Sequence, residues 1–385
     1  MLKKIITTLL ILMLALFQLT GCASQETSNP VSPGAENNPE NKDISPKIVI
    51  DQNSAEVILP DEINRVVMTA LPLPSIYALT NEPIQKIVGM HPGSKGAIEN
   101  SIMGTMYPDL LSIESTFIEG TDINIEELLK LAPDLVFYWA DYANQTKQLA
   151  EAGIPAIGVT TQGNGDVLLT LSSWLEIMGD VFEKTGEVKS VIQYGEKTLQ
   201  EIDAKIKDIP EEERLKGLFL FHHSTQEIVV PGTGHYGDYW LEATGGKNVA
   251  KEIDVTANVN MEQIYQWNPE VIYISSFTTT LPEDLYNNSI PGQDWSKIDA
   301  VKNKRVYKEP VGVYRWYPPS GDAPLMLKWM ANHQYPELFN YNMEEELKAY
   351  YKAFYDFDLS QEQIDGILDP LKETASGTAG LSKQK

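Results

Sequence analysis

One stretch of this chain occurs twice. The run Asn124-Ile-Glu-Glu-Leu-Leu-Lys-Leu-Ala-Pro133-Asp-Leu-Val-Phe-Tyr138 is matched in pattern by Asn260-Met-Glu-Gln-Ile-Tyr-Gln-Trp-Asn-Pro269-Glu-Val-Ile-Tyr-Ile274, at an offset of 136 residues with no gap. Each copy reads the same way physically. An asparagine caps a short helix by accepting from an orphan N–H of its first turn. A glutamate follows in that turn (Glu126, Glu262), where the helix dipole favours an anion. A proline ends the helix, an acid follows, and a β-rich run begins. A helix–strand unit duplicated at this distance predicts two related, Rossmann-like α/β lobes, each a central, mostly parallel sheet flanked by helices.

The rest of the chain between its polar ends fits that plan. Lys47–Ile50 and Glu56–Leu59 are short β-rich runs separated by Asp51-Gln-Asn-Ser54, a hairpin signal without glycine in its turn. From Arg65 onward, apolar runs alternate with helical patterns. Between the two copies there is no strand signal. Asp166–Phe182 predicts one amphipathic helix, and Glu183–Lys207 another, with Val188, Val191, Ile192, Leu199, Ile202 and Ile206 as its apolar positions and Pro210 beyond it. At 1.5 Å per residue the second helix is on the order of 35 Å long, enough to bridge two lobes side by side. A single helical bridge implies a stiff hinge and small closure. The expected division is an N-terminal lobe over 47–182, a bridging helix over 183–209 and a C-terminal lobe over 210–371.

The ends have a different character. Lys3 and Lys4 precede an apolar run from Ile5 to Leu19, shorter than the roughly 20 residues of a membrane-spanning helix, so 1–21 reads as a secretory signal. It closes on Leu19-Thr20-Gly21-Cys22, which resembles the lipobox of bacterial lipoproteins; there the signal is cut before the cysteine, whose thiol carries a diacylglycerol. Cys22 is the only cysteine, which excludes an intramolecular disulfide and leaves lipid anchoring as its expected role. Residues 22–46, rich in Ser, Asn, Pro, Gly and Glu, read as a flexible tether, and 372–385 as a disordered tail. The expected location is the outer face of the cytoplasmic membrane, on a Gram-positive-like cell surface.

The formal charge is −24, and loss of Lys3 and Lys4 with the signal makes it more negative. Such a surface repels phosphate backbones, which bind through Lys and Arg, so no nucleic-acid partner is expected. There is no G-x-S-x-G or H-E-x-x-H motif, and neither an enzymatic activity nor a cofactor is expected. A secreted α/β hydrolase is the alternative, and His222-His223-Ser224 would be its suggestive trio. Adjacent residues on a strand end point in alternate directions, however. Gly232-Thr-Gly-His-Tyr-Gly237 matches G-x-G-x-x-G but lacks a βαβ context after it, and reads as a turn opening a helix onto a cleft. No His, Cys, Asp and Glu set has the spacing of a zinc or calcium site.

Taken in order, the opening hairpin followed by Arg65-Val-Val, the N-x-E-x-L-x-x-L-x-P-D-L-V block at Asn124, its echo at Asn260, the bridging helix and the Cys22 motif resemble one family. It is that of the substrate-binding proteins of iron-siderophore, haem and vitamin B12 ABC importers, and the resemblance runs from about Lys47 to about Leu338. It implies two lobes joined by one helix, a ligand in the cleft between them, and docking onto a permease dimer served by an ATPase. One glutamate on each lobe then meets basic residues of the permease, and by motif position these are Glu126 and Glu262. The implied ligand is an iron complex, a ferric siderophore first, with haem or a corrinoid as alternatives and a metal oxyanion left open. A monomer is expected.

In open α/β sheets, ligands sit beyond the carboxyl ends of the strands. That rule nominates Leu71–Ser75 with Pro72, Met90–Gly96 with His91, Trp139–Tyr142, His222–Ser224, Gly234–Tyr236, Ser275–Phe277 and Tyr314–Tyr317. Arg315 stands out, because the chain has four arginines against 26 lysines and this one lies among aromatics; a guanidinium stacks on rings and pairs with carboxylates in a planar fork. Trp139, Tyr142, Tyr236, Tyr314 and Trp316 are candidate flat surfaces for a large ligand. His91, His235 and Tyr236 are candidate axial ligands to a bound iron complex. His333 falls on a predicted helix, Asp322–His333, and is assigned no role.

Overall fold

The computed structural model describes residues 46–375. The expected signal, Cys22 and nearly all of the expected tether lie outside the described residues, as does 376–385.

Strand Val66–Met68 is flanked by Ile87–Met90 on one side and by Leu135–Trp139 on the other, with Ala156–Val159 beyond the latter, and every pair is parallel. Numbered within the lobe, the strands stand in the order 2-1-3-4. The second lobe repeats this. Lys216–Leu220 lies between Lys247–Asn248 and Val271–Ile274, Val306–Lys308 lies outside, and all pairs are parallel. The duplicated sequence block occupies the same place in both lobes. It forms helix Ile125–Lys130 with third strand Leu135–Trp139, and helix Met261–Trp267 with third strand Val271–Ile274. Both caps form as the sequence predicts: Asn124 Oδ1 accepts from Glu127 N at 3.2 Å and Asn260 Oδ1 from Gln263 N at 3.0 Å. The two third strands are apolar throughout because a parallel sheet is covered on both faces.

The opening hairpin pairs Ile48–Ile50 with Glu56–Ile58. Its turn does without glycine because the Asp51 carboxylate takes over: Oδ1 accepts from Asn53 N at 2.9 Å and Ala55 N at 2.8 Å, and Ser54 adopts φ 63°. Asp51 Oδ2 accepts from Gly158 N at 3.0 Å, which fastens the hairpin to the outer strand of the first sheet.

Helix Val167–Phe182 is capped by Asp166, and Glu183 (φ 58°) separates it from the bridging helix Thr185–Ile206. That helix has 22 residues, about 33 Å at 1.5 Å each. It buries Val188, Val191, Ile202 and Ile206 against Val167–Phe182 on one side and Ala323–Gln334 on the other. A single apolar core thereby runs through both lobes, taking in Met68 and Phe137 of the first sheet, Trp174, Val191, Phe219 and Tyr273 of the second sheet, and Met326. The far faces of the sheets have their own clusters, around Val67, Leu128 and Val136 in one lobe and Leu218, Ile272 and Trp295 in the other.

Two features differ from the sequence reading. His222–His223 does not end a parallel strand; it opens a separate three-stranded antiparallel sheet with Ile228–Pro231 and Thr256–Asn258. The second concerns the start of the expected tail. Lys372–Ala375 still forms a 3-10 turn, with Lys372 Nζ 3.5 Å from Asp284. Before it come helices Met343–Tyr355 and Gln361–Leu368, the first packed against Ala323–Gln334 and against the turn Ala78–Thr80 of the first lobe.

Because the core is continuous, urea denaturation followed by tryptophan fluorescence and by circular dichroism is expected to give one coincident transition. Ile202→Ala should lower the unfolding free energy by about 2–5 kcal/mol without splitting it. Two separated transitions would mean that the lobes hold independent cores.

Candidate functional site

The chain leaves four strands of the two sheets directly into one cavity. Leu71 and Pro72 follow Val66–Met68, Trp139 ends Leu135–Trp139, Phe221 follows Lys216–Leu220 and Phe277 follows Val271–Ile274; all five line a cavity of about 310 Å³ between the lobes. Tyr142, His235, Tyr236, Val255, Thr256, Tyr314, Pro318 and Pro319 complete the wall. Beside it the lobes touch at glycines: Gly165 has φ 90°, and a Cβ there would stand 2.9 Å from Gly234 C and O, so any side chain at 165 is strained and pushes on the opposite lobe.

The wall is aromatic and proline-rich. Phe221 stacks on Tyr317 at 5.6 Å and meets Phe277 at 5.4 Å and His235 at 4.8 Å, while Trp139 meets Trp174 edge-on at 5.4 Å. Each such pair contributes about 0.5–1.5 kcal/mol beyond area burial, so these faces are preformed. No carboxylate, lysine or arginine is among the lining residues.

His235 precedes helix Tyr236–Ala243, in the turn that the G-x-G-x-x-G match forms. Its Nδ1 lies 2.8 Å from the Tyr317 hydroxyl, and that hydroxyl accepts from Gly237 N at 3.1 Å. Tyr317 is fully buried, and its one hydroxyl proton has His235 Nδ1 as its partner. The network therefore assigns the imidazole proton to Nε2, making His235 a hydrogen-bond donor. Burial, with His222 nearby, pushes its pKa down to about 4, so the ring is neutral at physiological pH. Burial likewise raises the hydroxyl pKa values of Tyr142, Tyr236 and Tyr314, and all three are neutral there too.

Arg315 is 1% exposed and lies behind the wall. Its Nε donates to Ser276 O at 3.3 Å, and its guanidinium carbon sits 5.0 Å from the Phe277 ring centre and 5.3 Å from that of Tyr314. It also bonds the Tyr314 hydroxyl and opposes the rise in that group's pKa. A cation held against a wall hydroxyl polarises it as a donor.

Of the residues singled out from sequence, the structure brings Pro72, Trp139, Tyr142, His235, Tyr236 and Tyr314 to the cavity wall, with Arg315 directly behind. It does not bring His91 or Trp316 there. His91 caps helix Pro92–Glu99: Nδ1 accepts from Gly93 N at 2.9 Å and Nε2 lies 3.1 Å from Gly120 O, so both ring nitrogens are engaged. Trp316 is fully buried, with Nε1 donating to Asp322 Oδ2 at 3.3 Å. His222 Nδ1 lies 3.3 Å from Phe277 O, His223 is engaged by Thr280 Oγ1 at 3.0 Å and Gln293 Oε1 at 2.7 Å, and Ser224 Oγ accepts from Gln226 N at 3.1 Å, so these contacts of the His222-His223-Ser224 trio are with other groups and not with one another. His333 is bound to Trp329 O in the core. Phe221, Val255, Thr256, Pro318 and Pro319 were not singled out. The strand-end rule reaches Phe221, but Val255 is at the wall through a left-handed backbone (φ 57°) that a β-branched residue seldom adopts. Glu126 and Glu262 are both exposed, each in the first turn of its helix.

The sequence profile of the family described as periplasmic binding protein matches residues 116–310. The chain belongs to that family. A solved periplasmic solute-binding protein from Veillonella parvula is 34% identical, with 84% of this chain and 97% of that one covered and a TM-score of 0.77. The molybdate-binding protein MolA of Haemophilus influenzae is 26% identical, covering 81% of this chain and 92% of its own length. The Fe(3+)-citrate-binding protein YfmC of Bacillus subtilis is 23% identical over 79% and 89%. The protein is thus an extracytoplasmic solute-binding component of an ABC transporter, built on the family's α/β architecture. Among the described residues no group of three or more His, Cys, Asp and Glu side chains is placed to hold a metal ion, and no helix is long and apolar enough to cross a membrane.

His235 also sets a pH dependence. Between about 4 and its ordinary 6.5 the unfolded chain binds a proton that the folded chain does not, so stability rises with pH across this window and falls on acidification. His235→Asn is expected to flatten the stability–pH slope there relative to wild type, read from urea midpoints at pH 4.5, 5.5 and 6.5. An unchanged slope would mean that the imidazole titrates at its ordinary value.

Proposed function

We propose that the protein captures an anionic metal complex with an oxygen-bearing surface in the inter-lobe cleft and presents it to its permease through Glu126 and Glu262. The lining carries this reading. In a chain of net charge −24 the cavity has no carboxylate; its donors are neutral, with His235 held as an Nε2–H donor and one guanidinium behind Tyr314. Neutral donors in a site of low dielectric favour an anion without repelling it.

A ferric siderophore, or another anionic ferric chelate, is the first reading. The faces of Trp139, Tyr142, Phe221 and Tyr236 suit chelator rings and carbon skeletons, and one relative is named for ferric citrate. A metal oxyanion is the second reading, favoured by the modest volume of about 310 Å³ and by the molybdate-binding relative. Haem and corrinoids come after these, because axial ligation needs the imidazole lone pair that His235 has turned towards Tyr317. The same reading makes 47–182 and 210–371 the two lobes, 183–209 the bridge, Cys22 the lipid anchor with 22–46 as its tether, and the working unit a monomer.

Tryptophan quenching of the purified protein, titrated separately with a ferric siderophore, ferric citrate, molybdate, haem and cobalamin, tests the ligand class. Saturation at one equivalent by a ferric chelate or by molybdate is expected; a response to haem or cobalamin alone, or to none, would overturn it. Docking is tested separately. Glu126→Lys with Glu262→Lys should abolish uptake in cells while leaving ligand affinity within about twofold, since rim charges steer and orient an encounter. Unimpaired uptake by the double variant would remove both glutamates from the docking role.

A further inference from the structure

The segment from Val311 to Asp322 forms a strap across the back of the cleft. Tyr314, Pro318 and Pro319 line the cavity from it, and Arg315 backs Tyr314. Its own anchorage comes from behind. The Asp322 carboxylate is fully buried. Oδ2 accepts from Val313 N at 2.7 Å, the Tyr351 hydroxyl at 2.8 Å and Trp316 Nε1 at 3.3 Å, and Oδ1 accepts from the Tyr355 hydroxyl at 3.2 Å. At Gly312 a Cβ would overlap both the Asp322 carboxylate and the Tyr351 hydroxyl, so the strap passes the carboxylate as closely as backbone allows. The third tyrosine of helix Met343–Tyr355 points the same way: the Tyr350 hydroxyl donates to Gly321 O at 2.6 Å. The strap also crosses to the first lobe, where Gly321 N donates to Ser75 Oγ at 3.2 Å, three residues beyond Pro72 of the cavity wall.

We propose that Asp322 is a positioning residue for ligand capture. Together with Tyr351 and Tyr355 it sets where the Tyr314 hydroxyl and the Arg315 guanidinium stand, so the cleft's affinity depends on a carboxylate and a helix that do not touch the ligand. The inference rests on the reading above only in that Tyr314 meets the ligand. It gives a role to the chain beyond residue 310, where the family match ends. The chemistry is that of a buried anion shared among four donors. Bonds to a carboxylate are shorter and about twice as strong as those between neutral groups, and four of them on one group leave the strap a single placement.

The test compares Asp322→Asn, Tyr351→Phe and Tyr355→Phe with Ile364→Val, an apolar core change in helix Gln361–Leu368, whose bond to the strap, from Val311 N to Ile367 O at 3.1 Å, lies between backbone atoms. An amide keeps the shape but supplies one acceptor oxygen in place of two and removes the charge. Asp322→Asn is expected to weaken ferric citrate or molybdate, whichever the wild type binds, by about tenfold, and each Tyr→Phe by about fivefold, the loss of roughly one hydrogen bond's worth of positioning. Ile364→Val should lower the melting temperature and leave affinity unchanged. The Arg315 Nε–H and Tyr314 amide resonances should move in the three strap variants and stay in the control. Wild-type affinity in Asp322→Asn, or affinity falling in step with melting temperature in all four variants, would overturn the proposal. If the wild type binds neither probe nor a ferric siderophore, the ligand class has failed separately, and the resonances decide the strap: unmoved in Asp322→Asn, they overturn it.

Discussion

The stripe of Val188, Val191, Ile202 and Ile206 on the bridging helix is what makes two sheets one protein. A helix that buried these residues on one lobe alone would be a tether between independently stable halves. Here helix Val167–Phe182 covers it from one side and Ala323–Gln334 from the other, and aromatic side chains of both sheets reach the same core. Close-packed interiors resist continuous deformation, so the relative placement of the strand ends is set by core packing rather than by the ligand. A cleft built on that base is largely preformed, and binding loses little free energy to ordering it.

Charge is arranged by exclusion. The acidic residues that make the chain −24 are kept off the cavity wall, although exposed Asp141 stands beside Tyr142, and Arg315, Lys308 and Glu309 are buried. Lys308 Nζ donates to the carbonyls of Ser275 at 2.7 Å, Thr278 at 2.5 Å and Thr280 at 3.2 Å, and Glu309 beside it is fully buried. Burial pulls the Lys308 pKa down and pushes the Glu309 pKa up, each opposed by the other's charge. Such a pair contributes little net stability. It places compensating charges behind the segment carrying Ser275 and Ser276, so Arg315 brings a positive field to Tyr314 without a carboxylate entering the cleft.

What was legible in the sequence was whatever depends on local chemistry with a period. The Asn124 and Asn260 caps, the paired third strands and the bridging helix follow from capping, dipole and apolar spacing, and each is found within a few residues of its expected bounds. The strand-end rule found most of the wall for the same reason. It also nominated two residues that do not line the wall: His91, where a helix N-terminus and a carbonyl engage both ring nitrogens, and Trp316, whose indole donates to the buried Asp322 carboxylate. The Gly93 contact is local, two residues on, but Gly120 lies 29 residues from His91 in sequence. Val255 was beyond reach altogether, since its place in the wall follows from a backbone conformation that its side chain disfavours.

In the proposed function, the duplicated block joins the two surfaces that have to stay in register. In the first lobe it begins at exposed Glu126 and its strand delivers Trp139 to the cavity; in the second it begins at exposed Glu262 and its strand leads to Phe277. A strand of four or five residues at about 3.3 Å per residue is inextensible on the scale of a hydrogen bond. The distance from each exposed glutamate to its wall residue is therefore fixed within a lobe, and only the angle between lobes is left to vary. That angle is limited by the bridging core on one side of the cleft and by the Ser75–Gly321 bond of the strap on another. Under the proposed function, a ligand that bridged Trp139 and Phe277 would act only on that residual angle, and through it on the spacing of the two glutamates.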